Sequence, residues 1–179
     1  MEDQMRFGLA TAGMMAFVSV SAAQTPAPAA PPPCSDEAYQ QFDFWLGNWE
    51  VTGPNGQVAG TNSITSEEGG CLLVERWTGA SGSTGQSYNY YNPVTEKWRQ
   101  VWVSPGALID YEGGLTETGS MKLEGLITYP ANGQTARFTG EWSLNEDGTV
   151  LQHFEQYDPE KDEWALWFTG TYARLSAEE

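Results

Sequence analysis

Glu75, Asn89, Gln100 and Gln152 each stand two residues from large or apolar neighbours. Glu75 lies between Leu73 and Trp77, Asn89 between Ser87 and Tyr91, Gln100 between Trp98 and Trp102, and Gln152 between Val150 and Phe154. A spacing of two sets each group on one face of a strand. On the last aromatic segment the same parity collects Trp164, Leu166, Phe168, Tyr172 and Arg174. Such a face mixes aromatic rings with a carboxyl and three amides, whereas a purely structural core favours Leu, Ile and Val. The polar groups need partners: one another, water or a ligand. The chemistry on offer is recognition of a small molecule. Trp77, Tyr91, Trp98 and Trp102 supply flat walls together with Phe154, Phe168 and Tyr172, while Glu75, Asn89, Gln100 and Gln152 fix orientation. A closed polar network serving only the fold is the competing expectation.

Glu75 is also the one candidate acid or base, because enclosure tunes a carboxyl toward neutral pH. Its plain alternatives are a solvated pair with Arg76 or a salt bridge to Arg137. No catalytic residue is assigned, since the chain has no Gly-x-Ser-x-Gly turn, no glycine-rich phosphate loop and no Cys/His pair. His153, the single histidine, falls beside the face that carries Gln152 and Phe154. Haem binding through an inward His153 is therefore a minor alternative, and no cofactor is expected. Asp147, Asp158 and Asp162 read as hairpin residues, and no metal site is expected.

The elements that must carry these side chains are strands. From residue 48 onward the periodicity is two, broken by Gly, Pro, Asn and Asp too often for a long helix. Strands are expected near 48–53, 57–66, 71–78, 85–91, 97–103, 107–112, 120–129, 135–144, 149–157 and 163–174. Pro54-Asn55-Gly56, Asn92-Pro93-Val94-Thr95, Ala131-Asn132-Gly133, Glu146-Asp147-Gly148 and Asp158-Pro159-Glu160-Lys161 read as hairpin links. A long meander hides its edges by closing. The expected fold is all-β: a closed antiparallel up-and-down barrel of about 8–10 strands, wide enough for one small ligand. A two-sheet sandwich is the second possibility. Residues 35–46 have apolar Ala38, Tyr39, Phe42 and Trp45 at helical spacing, so a short N-terminal helix precedes the barrel and can plug one end.

The segment Phe42-Asp43-Phe44-Trp45-Leu46-Gly47-Asn48-Trp49 resembles the opening of lipocalin-like, calycin-type exported bacterial proteins of uncharacterised function. The likeness extends through Gly70–Trp77, Ser87–Tyr91, Trp98–Val103 and Phe168–Arg174. It implies a Gly-x-Trp at Gly47 and Trp49 on the first strand and an arginine, Arg174, near the end of the last. It further implies that the guanidinium stacks on the indole and joins first strand to last. It implies no reaction.

The chain's ends and totals bound where this barrel works. Phe7–Val20 is apolar and uncharged, follows Arg6 and precedes Ser21-Ala22-Ala23, so 1–23 reads as a signal peptide, translated from Met1 or Met5. Residues 24–33 read as a Pro/Ala-rich linker, and 34–176 as the barrel domain. A periplasmic or secreted protein is expected, without membrane insertion once the leader is cut, since no later apolar run nears the ~20 residues of a spanning helix. Export places Cys34 and Cys71 in an oxidising compartment, where they are expected to bond at a gain of roughly 3 to 4 kcal/mol. A net charge of −16 repels nucleic acid, which is not an expected partner. The leading functional expectation is a small-molecule binder. Its alternatives are a barrel enzyme using Glu75 and an envelope protein with a filled barrel that serves structure or a partner.

Overall fold

The computed structural model describes residues 31–175. The expected leader and residues 24–30 of the linker lie outside the described residues. Ten strands form a closed barrel: β1 Gly47–Thr52, β2 Val58–Glu67, β3 Leu72–Gly79, β4 Thr84–Asn92, β5 Lys97–Val103, β6 Leu108–Leu115, β7 Met121–Tyr129, β8 Gln134–Leu144, β9 Val150–Asp158 and β10 Glu163–Arg174. Each strand pairs antiparallel with the next, and β1 pairs with β10 to close the ring. Two 3₁₀ turns, Glu37–Gln40 and Asp43–Trp45, precede β1, and a third, Glu68–Gly70, joins β2 to β3. Among the described residues no helix is long and apolar enough to cross a membrane. A closed antiparallel barrel with a helical turn before its first strand agrees with the lipocalin-like fold in general.

Five of the hairpin tips share one device. Asn55, Asn92, Asn132, Asp147 and Asp158 each accept, through their side-chain oxygen, the backbone N–H two residues on. An Asx side chain thus substitutes for a backbone partner and fixes the bend. Period-two sequence between such bends leaves little alternative to a meander.

The interior is layered along the barrel axis. At the closed end, Phe42 stacks on Trp45 at 5.0 Å between ring centroids and meets Trp142 and Trp98 edge-on at 5.2 and 5.7 Å. These rings come from the 3₁₀ turns, β8 and β5, so the helical segment does plug the barrel. Trp49 is fully buried here. Its indole lies 4.3 Å under the Arg174 guanidinium, whose Nη1 donates to the Leu46 carbonyl at 3.0 Å. Gly47 has φ of +136°, and a Cβ there would sit 2.5 Å from Arg174 Nη1. The glycine therefore clears the space in which the arginine lies. Cys34 and Cys71 are bonded across a separation of 37 residues, tying the chain ahead of the first 3₁₀ turn to the start of β3.

One expected face is wrong over half its length. Trp164 and Leu166 are exposed, because the pairing of β9 with β10 shifts register between Leu166 and Phe168. The bulge resets the parity, so only Phe168, Tyr172 and their partners follow the expected inward set.

Candidate functional site

Above the closed end a belt of polar side chains crosses the interior from β6 to β9. Tyr111 on β6 donates its hydroxyl to Gln100 Oε1 on β5, and Gln100 Nε2 donates to Asn89 Oδ1 on β4. Asn89 Nδ2 donates to Ser87 Oγ at 2.9 Å and to the Leu73 carbonyl at 3.1 Å. Ser87 Oγ donates to Glu75 Oε2 at 2.6 Å. From the other side Asn62 Nδ2 on β2 donates to Glu75 Oε1 at 2.7 Å and to the Tyr172 hydroxyl at 3.3 Å, while Tyr172 donates to Gln152 Oε1 at 2.7 Å. The donors from Tyr111 to Ser87 run toward Glu75, whereas beyond Asn62 they run away from it to Gln152; Glu75 accepts on both oxygens, from Ser87 and Asn62.

Glu75 is 4% exposed, and among the described residues no lysine, arginine or histidine pairs with it. Burial pushes its carboxyl up to about 7, against the hydrogen bonds from Ser87 and Asn62, which favour the ionised form. Burial, and then the negative charge of Glu75, hold the Tyr111 and Tyr172 hydroxyls well above the ordinary tyrosine range. Arg76 instead pairs with Glu67 at 3.1 Å, and the Arg137 guanidinium lies over the Tyr157 and Trp164 rings. Both expected ionic partners of Glu75 are therefore engaged elsewhere, on the outside of the barrel.

A cavity of about 150 Å³ opens between this belt and the far end of the barrel. Glu75, Gln100, Tyr111, Gln152 and Tyr172 line it on the belt side, and Trp77, Trp102, Phe154, Trp167 and Phe168, with Ile109, form its walls. The amide nitrogen of Gln152 donates to no group among the described residues. Trp102 is seated by a missing side chain: a Cβ on Gly85 would lie 2.2 Å from the indole Cζ2.

Of the residues expected to face a ligand, Glu75, Trp77, Gln100, Trp102, Gln152, Phe154, Phe168 and Tyr172 meet at the cavity. Asn89, Tyr91 and Trp98 do not line it. Asn89 is consumed by the belt, and Trp98 Nε1 donates to the Ala38 carbonyl and Gln41 Oε1 at 3.2 Å. Tyr91 packs edge-on against Tyr39 of the plug at 5.2 Å. His153 is exposed, with Nε2 3.6 Å from Glu155 Oε1, so it cannot supply an inward haem ligand. Among the described residues no three His, Cys, Asp or Glu side chains group as metal ligands.

Sequence reasoning missed Tyr111, Trp167 and Asn62. Tyr111 stands between Asp110 and Glu112, both exposed, and that charge alternation was a usable signal for its inward face. Trp167 enters only because of the β10 bulge. Asn62 sits in Gly60-Thr61-Asn62-Ser63, where both faces are polar and parity gives no contrast. No protein-family model and no curated protein matches this chain.

Proposed function

We propose that the protein is an exported binder of a small molecule, held in the cavity between the polar belt and the aromatic end of the barrel. The observation that carries this reading is the cavity itself. Five aromatic side chains wall about 150 Å³ over a floor that presents a carboxyl, two amides and two phenols. A concave, largely apolar site with a few convergent polar groups suits ligand recognition. An engineered apolar cavity of about this volume admits benzene, so a single ring with a polar substituent suits the space. A wholly filled barrel would lack the room.

The raised Glu75 carboxyl beside a cavity favours a second reading, an enzyme in which Glu75 moves a proton. Acid–base chemistry at neutral pH draws on two groups tuned apart, and the other titratable side chains lining the cavity are tyrosines held well above the ordinary range. Binding is the better-supported reading.

Purification from the exported fraction of the native source tests both halves of the proposal. The sample is expected to begin at Gln24 and to show, by native mass spectrometry, a non-covalent adduct of a small molecule. A bare protein whose tryptophan fluorescence is unmoved by a broad screen of single-ring compounds would remove the binding reading. Retention of Phe7–Val20 would remove export.

A further inference from the structure

Granting that the cavity is a ligand site, we propose that its ligand is a small organic cation, an amine on a single ring. The ammonium sits on Glu75, and the ring lies among Trp77, Trp102, Phe154, Trp167 and Phe168. Four independent features point this way. First, Glu75 is a buried carboxyl lining the cavity with no cationic partner among the described residues. A buried charge is tolerated when it is paired, and the protein supplies only neutral donors. A cation entering the cavity completes the pair.

Second, the surroundings are rich in acceptors. Each Glu75 oxygen accepts one hydrogen bond and retains a lone pair. Gln152 Oε1 and Gln100 Oε1, on lining residues beside the carboxylate, are further acceptors, each taking one tyrosine hydroxyl. An ammonium brings three donors to such a place. Third, tryptophan and phenylalanine faces attract cations through their ring quadrupoles, most strongly when water is excluded. Fourth, a net charge of −16 raises the local concentration of cations and repels anions.

The groups facing Glu75 are Asn62 from β2, Ser87 from β4, Tyr111 from β6 and Tyr172 from β10; only the two tyrosines titrate. Both are held well above the ordinary tyrosine range and keep their protons near neutral pH, so proton release on binding there reports Glu75. When the cation binds, any proton on the carboxyl passes to solvent, leaving an ammonium–carboxylate pair. With the carboxyl at about 7, binding near that pH should release about half a proton.

The test is titration calorimetry of the folded, disulfide-intact protein with benzylammonium, benzyl alcohol and benzoate, in two buffers that differ in ionisation enthalpy. Benzylammonium is expected to bind roughly ten- to a hundredfold tighter than benzyl alcohol, with benzoate weakest. Its binding should release a fraction of a proton, whereas the alcohol's should not. In Glu75→Gln the preference and the proton release should both vanish while benzyl alcohol still binds. Equal affinities in the wild type, absence of proton release, or a preference that survives Glu75→Gln would overturn the cation assignment and leave the cavity reading standing. Failure of all three probes to bind would overturn both. The proton count needs only the wild-type protein, so it decides the matter even if the variant folds poorly.

Discussion

Glu75 concentrates two opposed effects in one side chain: burial disfavours its charge, and the hydrogen bonds from Ser87 and Asn62 favour it. The balance leaves the carboxyl at about 7 in the folded protein against 4.5 ordinarily. Below about pH 4.5 both folded and unfolded chains hold the proton. Between about 4.5 and 7 only the folded chain does, so this group's contribution is fully present at low pH and is lost as pH rises through the window. The difference corresponds to about 3 kcal/mol. Urea melts of wild type and Glu75→Gln should therefore diverge, with the glutamine variant gaining about that much relative to wild type between pH 4 and pH 8. A constant gap across that range would mean that folding does not perturb the carboxyl. Exposed acids with lowered values, such as Asp147 and Asp158, act in the opposite sense in both proteins and cancel in the comparison. At this scale the inward set was legible wherever aromatic residues marked one parity, as around Glu75 and Gln100. The ionic partners expected for Glu75 were not, because sequence gives the face of Arg76 but not the distance to Arg137.

Strands place these side chains, and their irregularities decide which rings reach the cavity. Alternation and Asx-bearing bends made all ten strands readable, because a polar tip between apolar-alternating runs leaves few other conformations. The β10 bulge was not readable: Ala165-Leu166-Trp167-Phe168 has apolar residues in succession, so nothing in it marks where parity resets. That reset is what brings both Trp167 and Phe168 to the cavity wall. Glycine has the matching role on β4. Since a Cβ on Gly85 would lie 2.2 Å from Trp102 Cζ2, Gly85→Ala must push the indole off its seat. The expected cost is about 1 to 3 kcal/mol of stability, with a changed near-ultraviolet circular dichroism signal and weaker binding of any ring-bearing probe. An unaltered aromatic signal would show that the strand, rather than the indole, gives way.

The barrel as a whole divides its length between stability and recognition. Its plugged end is packed with Phe42, Trp45, Trp49 and Trp142, the belt above is a continuous hydrogen-bonded chain, and the cavity lies beyond. The plugged end also bears the seam where the chain closes on itself. There β1 and β10 are matched over four residue pairs, from Trp49 with Arg174 to Thr52 with Thr171. Compared with the long ladders elsewhere, this seam is short, so side-chain contacts across it carry more weight. Arg174 makes two of them, the stack on Trp49 and the hydrogen bond to the Leu46 carbonyl, in a space that Gly47 leaves open. The guanidinium is exposed, which sets its cation–π contact with Trp49 at about 0.5–1 kcal/mol, and the hydrogen bond to the Leu46 carbonyl adds about 1 kcal/mol, against ~0.5 kcal/mol for an ordinary surface substitution. Arg174→Ala should accordingly lower the urea midpoint by an amount no surface charge explains, and the loss should persist at high salt, since stacking and packing are screened less than exposed ion pairs. Because Arg174 itself does not line the cavity, the folded variant should still bind a ring-bearing probe. Coincident melts would show that the backbone pairs of β1 and β10 close the barrel unaided.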